Sequence, residues 1–525
     1  MIPVLVFISG RLAARAGTAK SHDGVIPSMM IKVSLHGGCG RSVINIDQLL
    51  QMVITSSRHV GVTTSQSVTE TLLTGVQPFT LTALRHPTVS TLLDGYRALL
   101  AELLDGLGSP LHVVLPEVFE ENIAALRQAF AETGADVDIL FAKKANKADC
   151  FVRSAAAAGV GVDAASTAEL VKALAGGVPG QRIGISGPEK DDTLHTLAVQ
   201  HDCLVAVDSI SELRRLAATA RLAHRQVRVL LRARTGSQPG SRFGMAAAER
   251  DAAVDQCLEL IEHVSLRGFS FHLNGYSPEE RAMAANEMIE YCLDARRRGM
   301  QSADLVNIGG GLPMRYVDPR LWDEFLQQNE PAHYHGTKTS RGLYFYPYGG
   351  LPTTQAARTI MTHPVDGNES LSAKAVRTGI RFVVEPGRSL LDQAGFTVFR
   401  VQQVEDRRDT DGYAIATVAG NSLSLCEQWF NTDYLPDPVL LSAQSVADEE
   451  FPACVAGSTC LENDMVTWRK IGFPRPVRPG DHLVYLNTAG YHSDFLESRF
   501  HDTALPLKAV LRLGDGSPRW RLDGI

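Results

Sequence analysis

Short β-rich runs alternate with helix-like stretches from residue 111 to about residue 387, and this alternation limits the chain to parallel βαβ architecture. The β-rich runs cover 111–115, 137–142, 159–163, 182–185, 204–207, 227–231, 266–272, 304–308 and 381–384. Helix-like segments lie between them at 120–133, 168–175, 211–223 and 278–298. Nine runs suit an eight-stranded (β/α) barrel with one strand leading in better than they suit an open sheet. After Gly395 helical periodicity fades, and runs at 396–401, 413–418, 482–486 and 507–513, punctuated by Pro and Gly, predict an antiparallel β domain. A helical pattern over 90–104 ends in Gly106-Leu107-Gly108-Ser109-Pro110, a natural boundary. The chain thus divides into a poorly ordered segment 1–30, an N-terminal part of the β domain with a helical extension (31–110), a barrel (111–395) and a C-terminal β domain (396–525). The fold class is α/β, a barrel plus a second, mainly antiparallel β domain.

Charge and cysteines narrow the function classes. A formal net charge of -7 gives no basic surface of nucleic-acid type. Eight scattered cysteines form no Cys-x-x-Cys pair and no cluster with zinc spacing, so no metal site is expected and a reducing compartment is. The apolar start Met1–Ile8 has no preceding cation, and Arg11 and Arg15 follow it, the opposite polarity to a secretory signal. No uncharged run is long enough to span a bilayer. A cytoplasmic protein with no membrane partner is the expectation.

Several residues with chemical potential stand just after the β-rich runs, where barrel active sites are built. Phe141-Ala142-Lys143-Lys144-Ala145-Asn146 puts an amine at the end of an apolar strand. A lysine there is expected to have a lowered pKa and to form a Schiff base with an aldehyde; a solvated lysine is the alternative. Gly309, Gly310 and Gly311 after the 304–308 run let backbone amides close on an anion, although a tight turn also explains them. Val384-Glu385-Pro386-Gly387-Arg388 offers an acid for a pyridine nitrogen, and Arg388 with the Gly387 amide for a phosphate; a salt bridge at a turn is the alternative. His272 ends an apolar strand, where its ring could stack on a cofactor or simply be a core residue.

Taken in order, these motifs resemble the fold-type III pyridoxal phosphate (PLP) enzymes with an alanine racemase-like barrel, specifically the diaminopimelate/ornithine/arginine decarboxylase family, as a divergent bacterial-type member. The resemblance runs from about Ser109 to about Phe500. It implies a Schiff base on Lys144. Asp163-Ala164-Ala165-Ser166-Thr167-Ala168-Glu169-Leu170 is similar to the family segment beside the cofactor, implying roles for Asp163, Ser166 and Glu169. Arg232 and Ser241-Arg242-Phe243-Gly244-Met245 match the next strand and turn. By the same resemblance His272 stacks on the ring, Ser277 and Gly309–Gly311 meet the phosphate, Glu385 pairs with the ring nitrogen, and Gly387, Arg388 and Tyr491 approach the phosphate. Gly457-Ser458-Thr459-Cys460-Leu461-Glu462-Asn463-Asp464 is similar to the segment whose cysteine, given by the second subunit, protonates the α-carbon; a homodimer with shared sites is implied, and Leu461, Glu462 and Asp464 would face the substrate.

Departures bear on the substrate. The family's His-x-Gly-Ser is longer here, as His272-Leu273-Asn274-Gly275-Tyr276-Ser277. Diamino-acid decarboxylases carry an acid directly after the cysteine, where this chain has Leu461, and an unpaired ammonium buried against leucine is costly. The expected β-domain segments for the substrate carboxylate are replaced by Ala419-Gly420-Asn421 and Gln428-Trp429-Phe430-Asn431-Thr432-Asp433-Tyr434. An aromatic insertion carries Tyr334, Tyr344, Phe345, Tyr346, Pro347 and Tyr348. The implied activity is decarboxylation of a small-molecule amino acid through a quinonoid carbanion. A PLP-dependent racemase or epimerase is the alternative, since Lys144 and Cys460 could act as two bases, and a non-catalytic decarboxylase-like binding protein is the second.

Overall fold

The computed structural model describes residues 78–337, 350–425, 435–441, 450–494, 496, 498–514 and 517–524. The expectations for 1–30 and 31–77, for residues 344–348 and for residues 428–434 fall outside them.

Eight parallel strands close into a barrel: β2 (Val137–Ala142), β3 (Gly161–Ala164), β4 (Ile183–Ile185), β5 (Leu204–Val207), β6 (Val227–Arg232), β7 (Val264–Ser270), β8 (Leu305–Asn307) and β11 (Arg381–Val384), the last pairing with both β8 and β2. Leu140, Leu204, Leu230, Leu305 and Val383 form a separate inner cluster, while alternate residues such as Val162, Val205 and Val229 join the layer under the helices. Serines and an aspartate at the strand-to-helix turns cap the helices: Ser166, Asp191, Ser209 and Ser277 each accept an amide of the first turn. Gly268 has φ +143°, and a Cβ there would stand 1.9 Å from Leu305 O, so only glycine lets β7 and β8 approach where the β6–β7 register shifts.

The second sheet has nine strands: β1 (Leu111–Val114), β12 (Gly395–Glu405), β13 (Ala414–Val418), β14 (Val439–Leu441), β15 (Phe451–Ala456), β16 (Met465–Phe473), β17 (His482–Leu486), β18 (Leu507–Arg512) and β19 (Arg519–Leu522). It is mainly antiparallel, with parallel pairs β1–β18 and β13–β15. A short hairpin, β9 (Pro364–Asp366) and β10 (Glu369–Ser370), stands apart from both sheets.

Two expectations are corrected. The run at 111–115, assigned to the barrel domain, pairs instead with β12 and β18. A buried strand of four apolar or neutral residues fits either sheet, and sequence pattern cannot tell them apart. The helical pattern at 90–104 is two helices, Pro87–Gly95 and Arg97–Leu107, because Tyr96 leaves helical geometry (φ -125°, ψ 35°) directly after Gly95. Among the described residues no helix is long and apolar enough to cross a membrane, and no group of three or more His, Cys, Asp or Glu could hold a metal ion.

Candidate active site at the carboxyl ends of the barrel strands

Strand β2 ends in a single 3-10 turn, Lys143–Ala145, that throws its two lysines in different directions. Lys143 is buried and donates to Asn146 O (3.1 Å). Lys144 points into the mouth, its Nζ 3.5 Å from Asp163 Oδ2 at the end of β3. Asp163 is buried, and its Oδ1 has no hydrogen-bond partner. The expected lowering of the Lys144 pKa is overturned. Burial does oppose its charge, but the Asp163 carboxylate, with Tyr491 and Glu385, outweighs it and raises the amine above the ordinary lysine range. Lowering belongs to Lys143, brought down to about 8 by burial and then by Lys172.

Two turns pin this lysine. Ala142 N–H donates to Pro386 O (3.1 Å), tying the β2 and β11 ends together. Asn146, the last residue of the motif, donates to Ala489 O (2.8 Å), and Tyr491 N–H donates to Ala145 O (2.7 Å), so the 487–494 loop is fastened to the lysine turn. Tyr491 has φ +70°, a left-handed conformation that costs a non-glycine residue about 1 kcal/mol or more. It leaves the Tyr491 Oη 2.9 Å from where a Gly387 Cβ would stand.

Glu385 follows β11 and receives the Asn307 Nδ2 donor at 2.6 Å. Burial first, then the Asp163 charge, push it up to about 7. Asn307 Oδ1 in turn accepts Gly309 N–H (2.9 Å), and Gly310 N–H donates to His272 Nδ1 (3.3 Å). His272 is exposed to the open mouth; the protein packed around its ring first, and then the nearby Lys144, Arg281 and Arg232 cations, push it toward the neutral form. Arg281 reaches in from the helix Pro278–Arg297. It donates to Ile308 O (2.7 Å), Gly275 O (3.2 Å) and Gly311 O (3.5 Å), so it holds the carbonyl side of the glycine turn. Side chains have no room there: a Cβ on Gly310 would stand 2.6 Å from Glu385 O, and one on Gly309 2.8 Å from His272 Nδ1. Arg388 is buried, donates to Tyr316 Oη (3.3 Å) and Gly490 O (3.2 Å), and lies over the Tyr491 ring at 4.9 Å.

Lys144, Asp163, His272, Gly309, Gly310, Gly311, Glu385, Gly387, Arg388 and Tyr491 are therefore joined in one network at one rim. Arg232 closes its edge, 3.4 Å from Asp208 and 4.5 Å from the Phe243 ring.

Other expected site residues have structural partners of their own. Ser166 accepts Glu169 N–H (3.2 Å), and Glu169 Oε2 accepts Ala165 N–H (2.7 Å), so both side chains satisfy amides at the start of the helix. Ser277 caps the helix Pro278–Arg297 and donates to Glu279 (2.9 Å), whose carboxylate would repel a phosphate. Asp464 is buried and accepts Ser422 N–H, Thr459 N–H and Thr459 Oγ1, which fixes the turn before Cys460 rather than facing a substrate. Cys460, Leu461 and Glu462 are exposed, and among the described residues no hydrogen bond or ion pair joins them to the Lys144 network. Cys460 Sγ lies 3.2 Å from His501 Nε2.

Sequence reasoning missed Asn307, Asp208, Arg281 and His501. Asn307 and Asp208 had a readable signal, a polar residue at the end of an apolar run on the expected rim. Arg281 and His501 had none.

The residues fit PLP. The phosphate would meet the Arg388 and Tyr491 corner, the ring nitrogen the Glu385 carboxyl, and the aldehyde the Lys144 amine. The unpartnered Asp163 Oδ1 and the glycine turn that excludes every Cβ are what a bound, polar cofactor requires.

Comparison with known proteins agrees. Residues 118–332 match the family model for the pyridoxal-dependent decarboxylase, pyridoxal binding domain. The chain is 36% identical over 441 residues to an uncharacterized protein of Sinorhizobium fredii, covering 83% of this chain and 94% of that protein. It is 24% identical over 410 residues to diaminopimelate decarboxylase of Bacillus subtilis, covering 74% and 83%. Among solved structures, diaminopimelate decarboxylase of Helicobacter pylori complexed with L-lysine superposes with a TM-score of 0.62 at 16% identity, over 80% of this chain and 95% of that one.

Proposed function

The chain belongs to the fold-type III pyridoxal phosphate-dependent decarboxylases, and from that premise we propose that it removes the α-carboxylate of an amino acid that lacks a distal ammonium. The observation that carries the reading is the Lys144–Asp163–Glu385 constellation at one barrel rim. When bound, PLP supplies an aldehyde for covalent capture and a ring that accepts the electron pair released when a bond to the α-carbon breaks.

The chain's own residues do the rest. Lys144 would anchor the cofactor, and Asp163 at 3.5 Å keeps its amine in the mouth. Glu385, backed by Asn307, holds a proton on the ring nitrogen, and without that charge the ring is a poor electron acceptor. His272, held neutral and oriented by Gly310 N–H, presents a flat face without a competing charge. Arg388 and Tyr491 take the phosphate, with Arg281 bracing the glycine turn opposite. The proton that ends the reaction would come from Cys460 of the partner subunit, a reading supported by the exposure of this chain's Cys460 and by its having no hydrogen bond to the Lys144 network among the described residues. His501 at 3.2 Å holds the thiol in place. An amine-bearing substrate tail would meet Leu461, which is 54% exposed and offers no counter-charge.

A screen of amino acids with the PLP-loaded protein tests this, reading CO2 release and incorporation of solvent deuterium at the α-carbon. Release from a neutral or aromatic amino acid, with at most slow release from lysine, ornithine or diaminopimelate, is expected. Deuterium uptake without CO2 across the whole panel replaces decarboxylation by racemisation.

A further inference from the structure

At the opposite end of the barrel the strand starts enclose a cavity of about 480 Å³. Its wall carries five arginines, Arg127, Arg182, Arg228, Arg267 and Arg381, and one carboxylate, Asp138. We propose that this cavity is a second ligand site, for a compact multiply charged phosphate such as a di- or triphosphate group.

The charge balance comes first. Arg228 pairs with Asp202 (3.1 Å) and Arg267 with Asp304 (2.7 Å), while Arg381 lies 3.6 Å from that same Asp304 and 3.7 Å from Asp138. Five guanidiniums therefore share three carboxylates, leaving two positive charges in excess. The excess sits on Arg127 and Arg182. Among the described residues neither has an ion pair; each donates to a carbonyl of the 158–159 turn, Arg127 to Ala158 O at 2.8 Å and Arg182 to Gly159 O. A guanidinium so used keeps several N–H donors in a planar fork, the geometry that matches phosphate oxygens. On a chain of net charge -7, such a pocket is a local reversal of sign that concentrates small anions.

Shape points the same way. The floor is Leu140, Leu204, Leu305 and Val383, the apolar inner cluster of the barrel. Guanidiniums at the edge of a low-dielectric floor attract an anion more strongly than they would in open water. The volume suits a small molecule, and the concave wall admits neither a duplex nor a flat membrane. The floor also lies on the strands that carry the rim chemistry. Leu140 is on β2, four residues before Lys144; Leu305 is two residues before Asn307; Val383 is two residues before Glu385. An anion that draws the strand starts together acts on rigid rods whose other ends hold the cofactor.

Calorimetric titration of pyrophosphate into gel-filtered, PLP-loaded protein at low ionic strength tests the site, because the cofactor then blocks the other phosphate position. Saturable binding at one site per chain is expected, weakened at least tenfold in an Arg127→Ala/Arg182→Ala double variant that keeps its cofactor absorbance and melting temperature. Both side chains are exposed, so the variant is expected to fold. The proposal is overturned if no saturable heat appears, or if the double variant binds pyrophosphate as the parent does. It is also overturned if binding occurs only in cofactor-free protein, which would place the pyrophosphate at the Arg388 corner.

Discussion

Asp163 works on Lys144 in two opposed ways. It keeps the amine in the mouth and charged, yet capture of an aldehyde needs the neutral amine. Since the folded-state pKa of Lys144 is raised, the neutral fraction at neutral pH is small and grows with pH. Cofactor loading, followed by its absorbance, is therefore expected to accelerate as pH rises, and Asp163→Asn to shift that pH–rate curve toward lower pH. An unshifted curve would mean that another group sets the amine's charge. Glu385 makes the complementary case. Burial and then the Asp163 charge hold it at about 7 against an ordinary value of 4.5, so the folded cofactor-free protein binds a proton that the unfolded chain does not. That contribution to stability is complete below about pH 4.5 and is lost as pH rises through about 7. A protonated ring nitrogen gives the carboxylate a partner, so the gain in melting temperature on loading PLP should widen between pH 5 and 8. Glu385→Gln should flatten this widening and lower turnover roughly 10- to 100-fold, the value of a charge-assisted hydrogen bond. A parallel pair of melting curves across that range would refute the assignment of Glu385 to the nitrogen.

Strand ends and the turns after them are the working units of this fold, and a turn is only as fixed as what grips its carbonyls. The glycine turn after β8 is gripped by Arg281, which donates to the buried Ile308 O and to the part-buried Gly275 and Gly311 oxygens. Arg281→Met keeps the bulk and removes the donors. It is expected to cost about 1–3 kcal/mol in denaturant unfolding, the range for one buried carbonyl left unpaired, and to weaken PLP binding at least tenfold. A variant that loses stability but binds PLP normally would show that the turn is held by its neighbours alone. The contrast between Arg281 and Lys144 marks what sequence can reveal. Strand positions were readable because burial on both faces of a barrel strand leaves an apolar run bounded by helix signals, and β2, β5 and β11 stand at the expected residues. Lys144, Glu385 and Arg388 were readable because they follow such runs. The direction of the Lys144 shift was not, because it depends on Asp163, one strand over. Ser166, Glu169 and Ser277 show a related ambiguity: a cap and a ligand contact draw on the same residue types at the same rim. Arg281 lies in the first turn of its helix beside Glu279 and Glu280, and only the helix's rotation decides that it faces inward.

At the scale of the whole molecule, no hydrogen bond or ion pair among the described residues joins the two chemical poles of the proposed reaction within one chain. Lys144 is surrounded by Asp163, Tyr491 and Glu385, whereas Cys460 stands exposed beside His501 on the second domain. A thiol that must deliver a proton has to come within hydrogen-bond reach of the reacting carbon, and under the proposed function a two-fold pair of chains would do this by placing each Cys460 at the other's barrel mouth. The arrangement makes a quantitative demand. Lys144→Ala and Cys460→Ala homodimers each carry two defective sites and should turn over at least about 100-fold slower than the parent, the usual worth of a positioned acid or base. Denatured together, mixed in equal amounts and refolded, the two variants form mixed dimers in half of the cases. One site of each mixed dimer holds both defects, and the other holds both native residues. Activity should return to about a quarter of the parent's. Recovery at that level requires the poles to come from different chains. If the refolded mixture is no more active than the better variant, each chain works with its own cysteine, or with none, and the exposed Cys460–His501 pair has another task.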